Sequence, residues 1–432
     1  MNKIINQQHH QATYLYALSR LLERASFYGL RSILVFYLVI DSLQMNDDEA
    51  LRIYAVFTTA VLVSGLLGAV LGDLLIGNTK AILIGALLNA LGAFILFIPS
   101  TVGLNIGLFL VVLGSGLFTP NLTSNFGKLY LNNTKLLDAG FTVLYFAINI
   151  GAFLGAFIVG SIGELAGWNY GFGVAGVLMF LSCVPILIIK NKRVEQSVDH
   201  QKVKGDIILD SDLVPANNKH TIQKQSMHRH AVLKVVVGVV SLGLFWMFYE
   251  FGYVRIYELQ SAFVEQAFFD MPKSLWLTSA SSFTIVLSLI AAIYWSYNYS
   301  NPFFKLILGF LFGIIAFGLL FLIPAIPVEQ HAILYFLSLL SLGIAEISIS
   351  PIMFSVLIRY TNPKYLSIFI SLSMILVRLF IYVGSIVKEF ISDLHLAAFL
   401  GMSSVAVLSV GFILYIKRTK SSDEDYAKMN LT

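Results

Sequence analysis

The sequence predicts an all-α membrane protein of about twelve transmembrane helices, set out as two groups of six. Three observations predict it. The 432-residue chain is 57% hydrophobic and only 12% charged, where soluble domains carry about 25% charged residues. Its mean hydropathy is +0.81. Apolar stretches of spanning length recur from end to end, and a single long polar stretch, residues 190–229, interrupts them near the middle.

The stretches are placed at 13–40, 50–76, 79–99, 104–130, 136–164, 169–190, 231–261, 274–297, 303–325, 330–358, 365–390 and 395–416. Each has the roughly twenty residues that a helix needs to cross a bilayer, and the longer ones imply tilt. Residues 1–190 then form one six-helix bundle, 191–229 a linker, 230–418 a second six-helix bundle and 419–432 a tail. Met1 to Gln11 is polar and lacks the apolar core of a signal peptide, so the first span is expected to act as the insertion signal. Lys and Arg gather at Lys3, Lys80, Lys128, Lys135, the linker, Lys305, Arg359, Lys364 and Lys417. The alternate loops carry Asp41, Asp47, Asp48, Glu49, Glu265, Asp270 and Glu329 instead. By the positive-inside rule both termini and the linker lie in the cytoplasm, with the chain in the inner (plasma) membrane and its partner the lipid bilayer. The cations are spread over separate loops, which makes no case for nucleic acid.

The first span breaks its own apolarity. Arg20, Glu23, Arg24, Phe27, Tyr28 and Arg31 fall on one helical face, at the spacing that stacks side chains along a stripe. A charge at mid-membrane costs a few kcal/mol or more, so this stripe faces a bundle interior or a wet cavity and marks a solute or ion path. The second half adds Glu250, Arg255, Glu258, Glu346 and Arg378. Unpaired buried charge does not persist, so most of these are expected to pair or to meet water. Along the helix Glu23 reaches Arg20 at i+3 better than it reaches Arg24. Arg255 and Glu258, also three apart, read as an outer gate or a structural bridge. Arg378 reads equally as half of a structural pair or as a cavity cation.

Other chemistry is excluded. The lone Cys183 forms no internal disulfide and no thiolate metal site. The eight His residues lie mostly at the N-terminus and around the linker, without metal-ligand spacing. There is no nucleotide-binding loop and no catalytic set. The expectation is a chain that is not an enzyme and has neither cofactor nor metal.

Several runs narrow the class. Gly68 to Lys80, with Asp73 inside it, resembles the G-x-x-x-D-R-x-G-R/K loop of the major facilitator superfamily, whose 6+6 architecture the span count also fits. The resemblance makes Asp73 a cytoplasmic gate latch, weakened because Leu74 stands where the Arg usually follows. Arg20 to Arg31 resembles the E-x-x-E-R-F-x-x-Y-G signature of the proton-dependent oligopeptide transporter (POT) family. Phe141 to Gly151 resembles that family's F-Y-x-x-I-N-x-G motif, and Gly167 to Gly173 its turn into the sixth helix. Trp246, Tyr249 and Glu250 resemble its F-W-x-x-x-E-Q pattern, with Phe251 in place of Gln. Ala345 to Pro351 resembles its G-E-x-x-x-S-P pattern. Further positions depart, Ala25 among them in place of the signature Phe. Arg20 replaces the first Glu, Thr119 replaces the Lys of the fourth-helix motif, and Leu62 stands where a Tyr touches solute in the second helix.

The resemblance implies roles. Arg24 and Arg31 would hold the acid end of a small peptide, Asn149 and Glu346 would lie near its amino end, and Tyr28 and Trp246 would line the pocket. With Arg20 and Thr119 unable to titrate near neutrality, Glu250 would be the carboxylate that gains and loses a proton, and Glu23 a partner in that machinery. Three functions follow from this pattern. The first is proton-coupled uptake of di- or tripeptides or peptide-like solutes by alternating access. The second is transport of an anionic or peptide-conjugated solute with altered coupling. The third is a transport-inactive subunit that scaffolds a partner protein in the membrane.

Overall fold

The computed structural model describes residues 2–3, 8–41, 45–189, 219–265 and 273–429, with the side chains of residues 2–3, 40–41, 219–231, 273–281 and 419–429 left aside. Most of the expected linker, residues 191–218, lies outside the described residues. Twelve helices run through them: α1 Gln11–Phe36, α2 Asp47–Val70, α3 Asn78–Leu96, α4 Thr101–Lys128, α5 Leu137–Ala166, α6 Trp168–Leu181, α7 Lys219–Glu265, α8 Lys273–Tyr297, α9 Pro302–Leu322, α10 His331–Tyr360, α11 Leu366–Glu389 and α12 Leu394–Met429. After a turn at Ser182 a further short helical stretch, residues 183–189, completes the sixth span. With it, the boundaries follow the apolar stretches to within a few residues, except at α7 and α12. There the helix runs on past the apolar part, so that α7 begins at Lys219, inside the expected linker. Among the described residues ten stretches, from Asp47–Ile76 to Leu394–Arg418, are long and apolar enough to cross a membrane. This is a multi-pass membrane protein.

Local chemistry sets where helices begin. The Asn46 side chain accepts from the Glu49 amide and caps α2, whose first turn holds Asp47, Asp48 and Glu49. Acidic groups there suit the positive end of the helix dipole. Ser100 caps α4 through Gly103, and Asn301 caps α9 with Pro302 in its first turn. Gly77, at φ +83°, makes the turn between α2 and α3 that a residue with a side chain rarely adopts.

The helices pack as two bundles, α1–α6 and α7–α12. Across the boundary α5 meets α8 and α10, while α2 and α4 meet α11. Small residues permit the closest approaches. A Cβ on Gly68 would lie 2.2 Å from the Gly116 carbonyl oxygen, so α2 and α4 touch backbone to backbone. Pro120 in α4 and Pro351 in α10 occupy the fourth helix of each bundle, a trace of internal symmetry. Phe141 of α5 stacks on Phe354 of α10 at 5.9 Å, joining the bundles through their cores. The end of the molecule that carries Gln11, Lys128 and Lys364 is called basal below, and the opposite end apical.

Candidate functional site

The charged stripe of α1 folds in on itself. Glu23 is fully buried and takes both of its neighbours. Arg20 donates to Glu23 Oε2 at 3.0 Å, and Arg24 donates to the same oxygen through Nε at 2.7 Å and to Oε1 through Nη2. The expectation that Glu23 reaches Arg24 poorly is wrong. Packing leaves the carboxylate no water, and a guanidinium fork is long enough to close on it sideways from the next residue. Thr119 of α4 accepts from Arg20 at 3.1 Å and from Arg24 at 3.3 Å. The two atypical residues therefore meet, and a hydroxyl and a guanidinium fill the space together. Leu62 is half-buried on α2.

Depth along α1 follows from its contact with α5. A Cβ on Gly151 would strike the Leu21 carbonyl oxygen, and one on Gly155 the Ala25 carbonyl oxygen. Tyr145 and Asn149 thus lie basal to Arg24. Arg31 lies apical to it by seven residues, about 10 Å at 1.5 Å per residue. Next to Tyr145 is the boundary cavity, about 240 Å³, lined by Asn149 from the first bundle and by Tyr249, Tyr253, Tyr257, Gln260, Thr284, Tyr335 and Glu346 from the second. Tyr145 donates its phenol proton to Glu346 across the boundary, and Asn149 Nδ2 donates to the Tyr145 carbonyl at 2.9 Å. Asn149 and Glu346 both line this cavity, whereas Arg24, Arg31 and Glu250 do not. Trp246 packs at the edge of the core beside Phe245 and Tyr249 instead of lining this cavity.

Apically the site is looser. Arg31 donates through Nε and Nη2 to the Tyr54 hydroxyl at 3.1 and 2.6 Å, and it stands over the rings of Phe27, Tyr28 and Tyr54. Tyr54 thus places a phenol on α2 two turns further out than Leu62. Glu250 meets Lys388 of α11 at 3.0 Å and Ser385 at 3.4 Å. Gly384 lets this happen: a Cβ there would lie 2.6 Å from the Met247 carbonyl oxygen, so α11 comes against α7 one turn below the pair. Arg255 is buried, pairs with Glu258, and donates to the Ile323 and Pro324 carbonyls at 2.7 and 2.9 Å. It ties off the end of α9 within one bundle.

The bundles are bolted together basally. Asp73 accepts from Asn78 at 2.8 Å and from the Ile368 amide, at the start of α11, at 3.0 Å. Asn78 also donates to Ser367 at 2.7 Å. Asp138, in the first turn of α5, is buried among Lys305 at 2.7 Å, Arg359 at 2.9 Å and Ser355 at 2.6 Å, all from the other bundle. The Lys305 ammonium also sits over the Trp295 ring at 4.5 Å. Sequence reasoning had assigned Lys305 and Arg359 to topology and missed Asp138. His9 adds a clasp, with Nδ1 against the Tyr130 hydroxyl at 2.8 Å and Nε2 against Ser296 Oγ at 2.9 Å.

Ser296 gives its proton to the Ala292 carbonyl, so Nε2 must be the donor and Nδ1 the acceptor of the neutral ring. Burial holds the His9 imidazole below its ordinary value. The docked clasp therefore prefers neutral His9. It is at full strength above the ordinary imidazole range, about pH 6.5, and is lost as pH falls through the lowered docked value. Acidification of the basal side is expected to speed hydrogen exchange at Gln11 to Thr13 beyond the intrinsic change, and His9→Gln should remove that extra response. Equal pH responses in the two proteins would contradict it.

A family profile described as Major Facilitator Superfamily matches residues 16–420. The chain is 31% identical over 175 residues to an uncharacterised transporter of Bacillus subtilis, a match covering 39% of this chain and 36% of that protein. It is 31% identical over 234 residues to a peptide transporter of Yersinia enterocolitica, covering 52% of this chain and 44% of that one. These stretches span less than half the length of the curated relatives they match. A POT family transporter solved with a thioalcohol-conjugated peptide superimposes with a TM-score of 0.63 at 19% identity, over 95% of this chain and 97% of its own, which is a likeness of fold.

Proposed function

Since the chain belongs to the Major Facilitator Superfamily, we propose that it is a secondary transporter of the POT type, carrying small peptides or peptide-like solutes by alternating access with protons as the coupling ion. The observation that carries this reading is the Tyr145–Glu346 bond with Asn149 beside it. One carboxylate and one amide from opposite bundles meet at the edge of a boundary cavity, with Asn149 basal to Arg24 and Arg31. A peptide ammonium seeks such a carboxylate, and its acid end seeks a guanidinium. Arg24 is held by Glu23, so Arg31, with only hydroxyl and ring partners, is the better-placed cation for the acid end. Basal bolts with an apically placed site describe the outward-facing arm of the cycle, with the basal end in the cytoplasm of a plasma-membrane protein. The family and fold are those of transporters, and the reading needs neither enzymatic activity nor a cofactor.

The test is uptake into proteoliposomes from a dipeptide library, with and without an inward proton gradient. Accumulation of at least one dipeptide above equilibrium, only with the gradient, is expected. Glu346→Gln should weaken solute binding by about 2–5 kcal/mol, the cost of removing one partner of a desolvated charged contact. No peptide uptake in either condition, or wild-type affinity in the variant, would reject the reading.

A further inference from the structure

Resting on that peptide reading, we infer that the apical cleft holds a second anion site, built by Arg378 of α11 opposite the Arg31–Tyr54 pair, which selects solutes carrying an extra acid group. Three observations converge. The first is the face of α11. Ser367 and Ser371 lie eleven and seven residues before Arg378, within about 20° of it around the helix. Ser367 accepts from Asn78 at the start of α3, and a Cβ on Gly65 of α2 would lie 3.2 Å from Ser371 Oγ. Arg378 therefore sits on the face that α11 turns toward the first bundle, not toward lipid.

The second is depth. α2 and α11 run antiparallel, as the meeting of Asp73 with Ile368 at their basal ends requires. Seven residues up α11 from Ser371 lies Arg378, and seven residues up α2 from Gly65 lies Thr58. Tyr54, which holds Arg31, is one turn beyond Thr58 on the same face. The two guanidiniums thus lie within about one turn of the same depth, on opposite bundles.

The third is charge. Arg378 is exposed although it sits near the middle of a spanning helix. Neither Arg31 nor Arg378 has a carboxylate partner among the described residues, whereas Arg20, Arg24, Arg255, Lys305, Arg359 and Lys388 each have one. Cations kept at mid-membrane without a counter-charge mark a place where one arrives with the solute. A single peptide carboxylate satisfies one of them. An acidic side chain supplies the other, and bridging the two cations draws the bundles together apically.

Binding of Ala-Glu and of its neutral isostere Ala-Gln to the purified full chain, by isothermal titration, tests this. Wild type is expected to hold Ala-Glu on the order of tenfold tighter than Ala-Gln, the scale of one charged contact in a partly wet site. Arg378→Gln should bring the ratio near one, and Arg378→Lys should keep part of it. Each ratio is internal to its own protein, so a general loss of affinity does not imitate the result. A wild-type ratio of one or less, or an undiminished ratio in Arg378→Gln, overturns the second site and leaves the peptide reading intact. Failure of wild type to bind either dipeptide overturns both.

Discussion

Asp138→Asn is expected to move the protein out of the basally closed arrangement and toward one open at the basal end. Asp138 and Lys305 are 1% and 2% exposed, and Asp138 also meets Arg359 and Ser355 from the same opposing bundle. Without the carboxylate, the Lys305 ammonium stays buried near Arg359 with only an aromatic face for company. Removing one partner of a buried ion pair costs about 3–5 kcal/mol. That cost falls on the basally closed state alone, because opening lets Lys305 reach water. At about 1.4 kcal/mol per tenfold, the equilibrium should shift on the order of a hundredfold or more. Spin labels at the exposed Asn132 and Lys364 would report it as a longer distance becoming dominant in the variant. An unchanged distribution would show that the triad does not hold the gate. Adding Lys305→Met should restore much of the closed population, since an apolar replacement of both partners is cheap.

Glu250→Gln is expected to abolish concentrative, pH-driven uptake while solute exchange at equal pH persists. The reasoning is one of elimination. Arg20 stays protonated at any physiological pH, Thr119 does not titrate, and Glu23 is gripped by two guanidiniums. Glu346 serves the solute in the reading above. Glu250 differs in having a single, partly exposed cation, Lys388, on a neighbouring helix of the same bundle. The pair lies within reach of solvent, unlike the buried Glu23. Uptake against a gradient by the variant, measured in the same proteoliposomes, would remove Glu250 from the coupling path. Lys388→Gln should alter the pH profile of uptake, because it deprives the carboxylate of its nearest cation.

The sequence carried the spans and the charged face of α1, because each is a local pattern with a fixed period. Pairs three residues apart, Arg20 with Glu23 and Arg255 with Glu258, were equally legible. The basal bolts were not. Asp138 meets Lys305 and Arg359 across 167 and 221 residues of chain, and each of the three, read alone, is an ordinary charge at a helix end. Lys388 was hidden in the same way, near the end of α11. Tyr54 was overlooked because the motif directs attention to position 62, and only the packing of α1 against α2 reveals a phenol further out. Arg378 was visible as an anomaly, yet its direction came from Ser367 and Ser371, whose contacts lie on other helices.

The folded stripe of α1 has an electrical consequence. Two guanidiniums and one carboxylate, Arg20, Arg24 and Glu23, leave one net positive charge, and the Thr119 hydroxyl beside them does not cancel it. In the proposed orientation this charge lies within the transmembrane field and changes its exposure to either side whenever the bundles rock. A full crossing of one elementary charge is worth about 2.3 kcal/mol per 100 mV; a partial displacement takes the corresponding fraction. Return of the empty carrier then becomes a voltage-sensing step, and the resting potential itself, apart from any pH gradient, biases which way the cleft faces.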